Sequence, residues 1–430
     1  MSKILFKNPL ILTMRDGNTL LNMDVLIEDK YISKIEKNIQ ADENTTVIDA
    51  SNTVLMPGFI NAHTHSAMVF SRSSTDNLKL DEWLKKAIFP IEDNFQKDDV
   101  YHLTKVAILE YLTSGITTCF DMYYNVEEIA KACLDLNYKM SIIKAPPESR
   151  ANIDEIENTY NYLNSLDKDY IRCNFGEHAE YTSSEEGLKF VSMLCNKHST
   201  FFSTHACETE KETEGCILRH QMTPIKYFDS LSLFNNGGCI FHGIYLNDED
   251  IDILKNKNVS VVTCPGSNGK LASGIAPIKT LLEKGVNVAI GTDGAGSNNC
   301  LDMFKEMHLL YSFSKIREND ASSLNAYEIL KMATVNGAKA LGLEKLDGIK
   351  VGNYADIILI DLTNPNMQPI NNIVSNIVYS GSKLNIKLTM VNGKILYKDY
   401  KFYINENIKD IYSKAQEIND RLNKFNPYKN

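Results

Sequence analysis

The centre of the chain alternates short apolar runs with segments of helical period, and this rhythm constrains the fold more than any other feature. Eight strand-like runs follow one another: Val54–His65, Gly115–Tyr123, Lys139–Ala145, Ile171–Ala179, Phe201–Cys207, Gly238–Ile244, Val259–Pro265 and Val286–Gly294. Segments with apolar residues at helical spacing lie between them, among them Val100–Ser114, Ser184–His198 and Asp248–Lys257. Eight strand–helix units predict an α/β fold, a parallel (β/α)8 barrel of the TIM type. A doubly wound open sheet is the alternative, and it fits less well because no Gly-x-Gly-x-x-Gly follows the first strand.

Both ends of the chain carry a different pattern. The first fifty residues and the segment from about Val351 to Tyr400 alternate short apolar runs with turn signals, Asp16-Gly17 in the first and Asn392-Gly393 in the second. Neither end has enough strands for a stable sheet of its own, so we expect the two to combine into one small β-sandwich domain. The predicted division is 1–55 and 346–404 for this domain, 56–345 for the barrel and 405–430 for a C-terminal helix.

Composition limits the partners. The 430 residues are 43% hydrophobic and 23% charged, as in a globular enzyme, and the formal net charge of −10 argues against nucleic acids and anionic membranes. The nine cysteines form no C-x-x-C pair, which indicates reduced thiols. We recognise no signal peptide and no apolar run long enough to span a membrane. We therefore expect a cytoplasmic protein with a small-molecule substrate, and homo-oligomerisation stays open.

Histidines and one aspartate fall where the predicted strands end, which is where barrels of this type carry their chemistry. His63 and His65 are two apart on one strand and point to the same side of it. With them, five of the nine histidines and one acid occupy strand ends: His63, His65, His178, His205, His242 and Asp293. The remaining histidines lie in helical segments, where a surface or packing role is favoured: His102, His198, His220 and His308.

Three imidazoles and a carboxylate suit a divalent cation, Zn²⁺ or Fe²⁺, with room for a water molecule. We assign His63, His65, His205 and Asp293 as its ligands. Such a cation lowers the pKa of its water towards about 7. Glu208, three residues after His205, can reach that water without being a ligand, which predicts a proton shuttle; a first-turn helix acid is the alternative.

Four motifs together resemble the amidohydrolase superfamily, and more narrowly its 5'-methylthioadenosine/S-adenosylhomocysteine deaminases. They are Met56-Pro57-Gly58-Phe59-Ile60-Asn61-Ala62-His63-Thr64-His65, Gly115-Ile116-Thr117-Thr118, Thr204-His205-Ala206-Cys207-Glu208-Thr209 and Gly291-Thr292-Asp293-Gly294. The resemblance covers essentially the whole chain. It implies hydrolytic deamination of an adenosine derivative, such as 5'-methylthioadenosine or S-adenosylhomocysteine, to the inosine derivative and ammonia.

Finer marks bear on the metal count and the substrate. Relatives with two metals use a lysine on the fourth strand, and Ile171–Ala179 has none, so the resemblance implies one metal. Trp83-Leu84 and Phe89-Pro90-Ile91-Glu92 resemble the segment whose glutamate binds the ribose hydroxyls, which makes Glu92 and Trp83 substrate-binding candidates. Without the family, Glu92 would equally be a solvated acid.

The chain also departs from the family pattern. Glu177 and Glu180 flank His178 where the family has prolines, so we expect a different pocket wall. The family's arginines for the amino-acid tail of S-adenosylhomocysteine are not clearly matched; Arg150 is one candidate and Lys144 a weaker one.

The expected mechanism is attack of hydroxide on the amino-bearing ring carbon, while Glu208 moves a proton to the adjacent ring nitrogen. Asp293 and His242 orient the hydroxide and stabilise the tetrahedral intermediate, His178 hydrogen-bonds the purine and Glu92 the ribose. Two alternatives stay open. One is deamination or hydrolysis of another heterocycle (guanine, a pterin, cytosine or a triazine), and the other is a non-catalytic barrel, which would have lost its ligands.

Overall fold

The computed structural model describes residues 2–15, 20–145 and 153–428. In these residues the strands are β1 (Lys3–Lys7), β2 (Leu10–Leu12), β3 (Leu20–Asn22), β4 (Asp24–Glu28), β5 (Tyr31–Glu36), β6 (Thr45–Asp49), β7 (Thr53–Pro57), β8 (Phe59–Thr64), β9 (Ile116–Met122), β10 (Lys139–Lys144), β11 (Ile171–Ala179), β12 (Phe202–Ala206), β13 (Gly238–His242), β14 (Val259–Thr263), β15 (Val288–Ile290), β16 (Ile357–Asp361), β17 (Ile386–Val391), β18 (Lys394–Lys398) and β19 (Lys401–Phe402).

The α-helices are α1 (Leu80–Trp83), α2 (Phe89–Glu92), α3 (Asp99–Thr113), α4 (Val126–Asp135), α5 (Ile153–Ser165), α6 (Glu185–His198), α7 (Glu210–His220), α8 (Pro224–Ser230), α9 (Asp248–Asn256), α10 (Pro265–Lys270), α11 (Ile278–Glu283), α12 (Ala295–Asn298), α13 (Met303–Glu318), α14 (Ala326–Met332), α15 (Val335–Ala340), α16 (Ile373–Ser375) and α17 (Ile408–Leu422). Several begin at a capping residue; for example, Ser184 Oγ accepts the Gly187 N–H at 3.1 Å at the start of α6. None of the helices in the described residues is long and apolar enough to cross a membrane.

The strands β8 to β15 form one sheet in sequential order, and every neighbouring pair is parallel. At its two edges the sheet nearly closes on itself, because the Asp293 N–H donates to the His63 carbonyl oxygen at 3.0 Å. The predicted (β/α)8 barrel is therefore confirmed, and the open-sheet alternative is wrong. Each of the eight predicted runs contains one barrel strand.

The barrel strands are buried on both faces. Phe120 and Phe241 belong to one apolar cluster that contains alternate residues of several barrel strands together with residues of α15, such as Ala338. Their neighbours on the opposite faces, such as Ile240 and Val261, belong to a larger cluster that includes the surrounding helices. This double burial explains why these strands appear in the sequence as continuous apolar runs rather than as an apolar–polar alternation.

The chain ends combine into a two-sheet unit, as predicted. One sheet has the order β5-β4-β1-β6, and the other has β19-β18-β17-β16-β7-β2-β3, so strands from both ends are neighbours in it. Apolar side chains of the two sheets share one buried cluster, which includes Phe6, Val25, Leu55 and Leu388. Asn392 and Gly393 have φ of +47° and +72° between β17 and β18, as a two-residue hairpin turn requires. The other predicted turn, Asp16-Gly17, lies outside the described residues.

One predicted boundary is wrong. The run Val54–His65 is two strands: β7 belongs to the end sheet, where it pairs antiparallel with β16, and β8 begins the barrel. The division between residues 55 and 56 therefore falls inside β7, and the change of sheet occurs at Gly58. A Cβ atom on Gly58 would lie 2.2 Å from Thr117 Cγ2, so only glycine fits this crossing. The rest of the predicted division stays a prediction. Of residues 405–430, Ile408–Leu422 are α-helical, and Asn423–Phe425 form a 3₁₀ turn.

Candidate active site

The structure brings the four predicted metal ligands together at the carboxyl ends of the barrel strands. One potential ligand atom from each of His63, His65, His205 and Asp293 lies within 4.8 Å of those of the other three. His63 Nε2 is 3.1 Å from His205 Nε2, and Asp293 Oδ1 is 3.2 Å from His65 Nε2 and 3.6 Å from His63 Nε2. Distant parts of the chain converge here because β8, β12 and β15 end at the same rim.

Hydrogen bonds at the Nδ1 atoms of two of the imidazoles show that this donor set suits a divalent cation. His65 Nδ1 bonds to the Met122 carbonyl, and His205 Nδ1 bonds to the His178 carbonyl at 2.6 Å. A carbonyl can only accept, so each Nδ1 carries a proton, and Nε2 is the ring atom left to bind a cation. The Nδ1 atom of His63 is buried without a hydrogen-bond partner, and its Nε2 atom lies 3.1 Å from His205 Nε2. A cation bound between these two Nε2 atoms and Asp293 would be held by donors that already converge on one point.

Burial sets the protonation of these imidazoles. It lowers the pKa of His63 to about 3, and it lowers the pKa of His205 well below the usual value. Burial also opposes the charge on His65, but the hydrogen bond and charge of Asp293 outweigh it and raise the pKa of His65 to about 9. Asp293 is therefore ionised, and cation binding would release the proton of His65, as metal ligation by imidazole requires.

Glu208 and His242 face the same cavity beside this cluster. Glu208 follows β12, and its Oε2 is 3.7 Å from Nε2 of His242, the last residue of β13. The Ser273 hydroxyl donates to the other carboxylate oxygen of Glu208 at 3.3 Å. Burial raises the pKa of Glu208. A buried carboxylate whose proton affinity is raised is a candidate for taking up and releasing a proton during a reaction.

Groups that the sequence reasoning missed hold these two side chains. The Asn268 Oδ1 atom lies 2.7 Å from His242 Nδ1, which leaves the Nε2 atom of His242 for the cavity. The carboxylate of Glu212 accepts the N–H groups of Cys207 and Glu208 at 2.9 and 2.8 Å. Asn268 is in α10, the short helix after β14, and no feature of the sequence marks it as a partner of His242.

Asp293 is also held by its neighbours. The Ser297 hydroxyl donates to Oδ2 at 2.8 Å, and the Gly294 N–H donates to Oδ1 at the same distance. Ser297 is in α12, the short helix that follows β15. The carboxylate therefore has a fixed orientation towards the three histidines.

The cavity beside the cluster has a volume of about 300 Å³ and an apolar wall. One wall comes from the segment 80–92, whose lining side chains are Leu80, Trp83, Leu84, Ile88, Phe89 and Glu92. Glu92 accepts a hydrogen bond from the Tyr123 hydroxyl, and burial raises the pKa of Glu92 to about 7. The Glu92 carboxylate thus faces the cavity rather than solvent. Trp83 contributes only apolar surface, because its indole N–H donates to Thr75 Oγ1 at 3.0 Å.

The remaining predicted pocket residues divide into three groups. His178 and Lys144 line the cavity at the ends of β11 and β10, as does Glu177. Glu180 does not, so the expectation that it alters the pocket wall is wrong: its buried carboxylate binds Arg219 Nε at 3.0 Å and His220 Nε2 at 2.9 Å. Arg150 lies outside the described residues.

The four histidines predicted to lie in helical segments do so. His102 and His308 are inside α3 and α13, and His198 and His220 end α6 and α7. His198 bonds to Glu157 at 2.6 Å. None of them lines the cavity described above.

Comparisons with known proteins agree with this geometry. The Amidohydrolase family matches residues 54–396. The chain is 40% identical to a 5-methylthioadenosine/S-adenosylhomocysteine deaminase of Pyrococcus furiosus, over 93% of this chain and 96% of that protein. It is 36% identical to a 5'-deoxyadenosine deaminase of Methanosarcina acetivorans, over 98% and 100% of the two chains. The crystal structure of an adenosine deaminase from Xanthomonas campestris with bound zinc matches with a TM-score of 0.93 and 28% identity, over 98% of each chain. The chain therefore belongs to the amidohydrolase family.

Proposed function

We propose that the protein is a metal-dependent hydrolytic deaminase of adenosine derivatives, a hydrolase of C–N bonds in cyclic amidines. Its substrates would be 5'-methylthioadenosine, S-adenosylhomocysteine or a similar nucleoside, and its products the inosine derivative and ammonia. The observation that carries the proposal is that Glu208 and His242 face one cavity with the cluster of His63, His65, His205 and Asp293. The names of the relatives and the adenosine deaminase neighbour support the adenine ring as the target.

The metal in this proposal is Zn²⁺, with Fe²⁺ as the alternative, held by His63, His65, His205 and Asp293. Support comes from the nitrogen and carboxylate donors, from the Nε2 atoms that the hydrogen bonds at Nδ1 leave to bind a cation, and from the zinc bound in the Xanthomonas campestris neighbour. When bound, the cation would lower the pKa of a water molecule towards about 7 and so supply hydroxide at neutral pH.

Proton transfer falls to Glu208. Its carboxylate would take a proton from the attacking water and deliver it to the ring nitrogen next to the amino-bearing carbon. That carbon becomes a better electrophile once the nitrogen is protonated. The added hydroxyl would then give up its proton to the amino group, which leaves as ammonia while the ring carbon becomes a carbonyl. The burial that raises the pKa of Glu208 makes its carboxylate a stronger base for the first of these two transfers.

Orientation falls to His242 and Asp293. The Nε2 atom of His242 lies on the Glu208 side of the cavity, where it would hydrogen-bond the oxygen added to the ring carbon. The Asp293 carboxylate, fixed by Ser297 and Gly294, would accept from the same oxygen before attack. Both groups would then hold that oxygen through the tetrahedral stage.

The outer cavity would select the nucleoside. Glu92 would accept from both ribose hydroxyls, since an ionised carboxylate has acceptor sites for a cis-diol. His178 would hydrogen-bond the purine, and the apolar surface of Trp83 would cover the sugar and exclude water. Lys144 would meet the carboxylate of an S-adenosylhomocysteine tail, a role for which Arg150 is the other candidate.

A substrate panel tests the proposed class. Ammonia release would be compared for 5'-methylthioadenosine, S-adenosylhomocysteine, 5'-deoxyadenosine and adenosine against guanine, a pterin, cytosine and a triazine. The adenosine derivatives should react at the highest kcat/KM. Faster turnover of another ring would replace the substrate class, and a purified protein without bound metal or turnover would support a non-catalytic barrel.

Substitution of Glu208 tests the mechanism. Glu208→Gln should keep the metal and lose turnover by about a thousandfold or more, since general acid–base groups contribute roughly 10²–10⁴. Glu210→Gln is the matched control, because Glu210 is an exposed glutamate two residues further along the chain. An active Glu208→Gln protein would contradict the proposed shuttle.

A further inference from the structure

A buried carboxylate outside the cavity joins the two loops that hold His242 and Asp293. Glu306 is in the first turn of α13 and is fully buried. Among the described residues its carboxylate forms hydrogen bonds but no ion pair, and the charge of the neighbouring Lys305 acts on it only from a greater distance. Burying a carboxylate without an ion-pair partner is costly, so what it binds instead is informative.

Its two oxygens bind two different loops. Oε2 accepts the Gly266 N–H at 2.7 Å, at the start of α10 after β14. Oε1 accepts an Asn298 Nδ2 hydrogen at 2.8 Å, at the end of α12 after β15. The backbone of Gly266 packs closely against the carboxylate, because a Cβ atom on Gly266 would lie only 2.4 Å from Glu306 Oε1.

Each loop carries one support of the candidate active site. Asn268, two residues after Gly266 in α10, bonds to His242 Nδ1 at 2.7 Å. Asn298 donates its other amide hydrogen to the Thr292 carbonyl at 2.6 Å, directly before Asp293. Ser297, the residue before Asn298, donates to Asp293 Oδ2.

We propose that Glu306 is a positioning residue that fixes His242 and Asp293 relative to each other by clamping α10 to α12. The proposal rests on the proposed function for its effect on turnover. Its effect on metal binding does not, because Asp293 belongs to the ligand cluster whatever the reaction is.

Glutamine cannot replace the carboxylate in this clamp. Both groups that face Glu306 are donors, and the amide of glutamine offers one acceptor and one donor. A flip of the Asn298 amide would not repair the mismatch. Its Nδ2 is needed by Thr292 O, and its Oδ1 accepts from Lys305 Nζ at 2.8 Å. Glu306→Gln therefore loses one of the two contacts while it changes little in volume.

The first measurement is zinc affinity, by competition with a chromogenic chelator, in the full-length protein at pH 8, where the Glu306 carboxylate is ionised and accepts at both oxygens. Glu306→Gln should weaken zinc binding about tenfold, at the low end of the 10–100-fold range for groups that orient metal ligands. Glu328→Gln is the matched control: Glu328 is also a first-turn glutamate, and its Oε2 accepts the Asn325 N–H at 3.1 Å in the capping box of α14. It should leave zinc affinity unchanged. Equal affinities in wild type and Glu306→Gln would overturn the proposal.

The second measurement is a double-mutant cycle on kcat at saturating zinc. Glu306→Gln and Asn268→Ala should each lower kcat about tenfold with little change in KM, and the double variant should lose little more than either alone. Glu306→Gln and Glu328→Gln should combine additively. Additive effects of Glu306 and Asn268 would overturn the action through His242. If the wild type deaminates nothing, the proposed function fails while the zinc measurement still decides the clamp.

Discussion

The carboxylate of Glu212 accepts the backbone N–H of Glu208 at 2.8 Å and that of Cys207 at 2.9 Å. Cys207 has a φ of +56°, a left-handed conformation that a non-glycine residue adopts only at a cost. The two hydrogen bonds hold this strained turn, and the turn directs the Glu208 side chain into the cavity. Glu212 thus acts on the proposed proton shuttle although it belongs to the capping box of α7.

Glu212→Gln should therefore lower kcat about tenfold with metal content unchanged, and lower the free energy of unfolding by roughly 1–3 kcal/mol, because one N–H is left facing a donor. Steady-state ammonia release, metal analysis and urea unfolding would measure these effects. Asp250→Asn provides the control, since Asp250 is the corresponding residue of the capping box of α9, where it accepts the Asn247 N–H at 3.1 Å. If both variants lose stability but keep full kcat, Glu212 serves the helix alone.

The pH dependence of binding should report Glu92. Burial raises the pKa of Glu92 to about 7, although the Tyr123 hydrogen bond lowers it. The carboxyl group gains a proton as the pH falls through about 7 and then accepts less well from the ribose hydroxyls. The kcat/KM for a ribonucleoside should fall as the pH drops below about 7, whereas the kcat/KM for a 2'-deoxy substrate, which lacks one of the two hydroxyls, should fall less. In Glu92→Gln the two substrates should show the same pH dependence.

Tyr123→Phe sharpens the test of Glu92. Removing the Tyr123 hydroxyl removes the interaction that lowers the pKa of Glu92, so the midpoint of the kcat/KM profile should move to higher pH. The comparison with a 2'-deoxy substrate separates this effect from titration of Glu208, which acts on both substrates. A midpoint that stays in place in Tyr123→Phe would assign the titration to another group.

The sequence was sufficient to predict the strands and helices because they depend on local pattern, and the order of the strands then placed His63, His65, His205 and Asp293 at one end of the barrel. A barrel strand is buried on both faces and so leaves an apolar run, and His63 and His65 lie two apart on one strand. The break between β7 and β8 could not be predicted in this way. The residues on both sides of it are apolar, so the sequence pattern does not change where the chain passes from one sheet to the other. Only the contact between Gly58 and Thr117 reveals it.

Hydrogen bonds that join two different loops could not be predicted from local pattern. His242 and Asn268 are 26 residues apart, and Gly266 and Glu306 are 40 residues apart. Periodicity tells which face of an element a side chain occupies, but it does not tell which loops meet at a barrel rim. Asn268 and Glu306 were missed for this reason. Glu212 lies only four residues from Glu208, and its capping box with Thr209 indicates a helix start but not a support of the turn before it.

The seam of the barrel is the contact between β8 and β15, where the sheet nearly closes, and Gly291 lies directly after β15 at this contact. A Cβ atom there would lie 2.7 Å from His63 Cβ and 2.8 Å from the His63 carbonyl oxygen, and backbone cannot yield easily. Gly291→Ala should push β15 from β8 and lower zinc affinity about tenfold or more, with a loss of roughly 1–3 kcal/mol in unfolding free energy. Chelator competition and urea unfolding measure both quantities.

The control for Gly291 is Gly187→Ala in the first turn of α6, where the nearest atom to the new Cβ is Ser184 Oγ at 3.3 Å. It should keep wild-type zinc affinity. Unchanged zinc affinity in Gly291→Ala would show that the seam tolerates a methyl group and that His63 does not depend on this contact.

Stability should vary with pH through Glu306. Burial raises the pKa of Glu306 to about 7, against the opposing effects of the Gly266 N–H and Asn298. Between its ordinary value of 4.5 and about 7, the folded protein holds a proton that the unfolded chain has lost. The stabilisation from this group is therefore complete at low pH and is lost as the pH rises through about 7. The total change is about 3 kcal/mol.

The variant Glu306→Gln tests this dependence, because the glutamine side chain does not titrate. The unfolding free energy of wild type relative to this variant should be larger at pH 5 than at pH 8. Urea unfolding of both proteins in excess zinc measures the difference, in which the titration of shared groups cancels. Parallel pH profiles would mean that Glu306 is ionised throughout and that its two donors outweigh its burial.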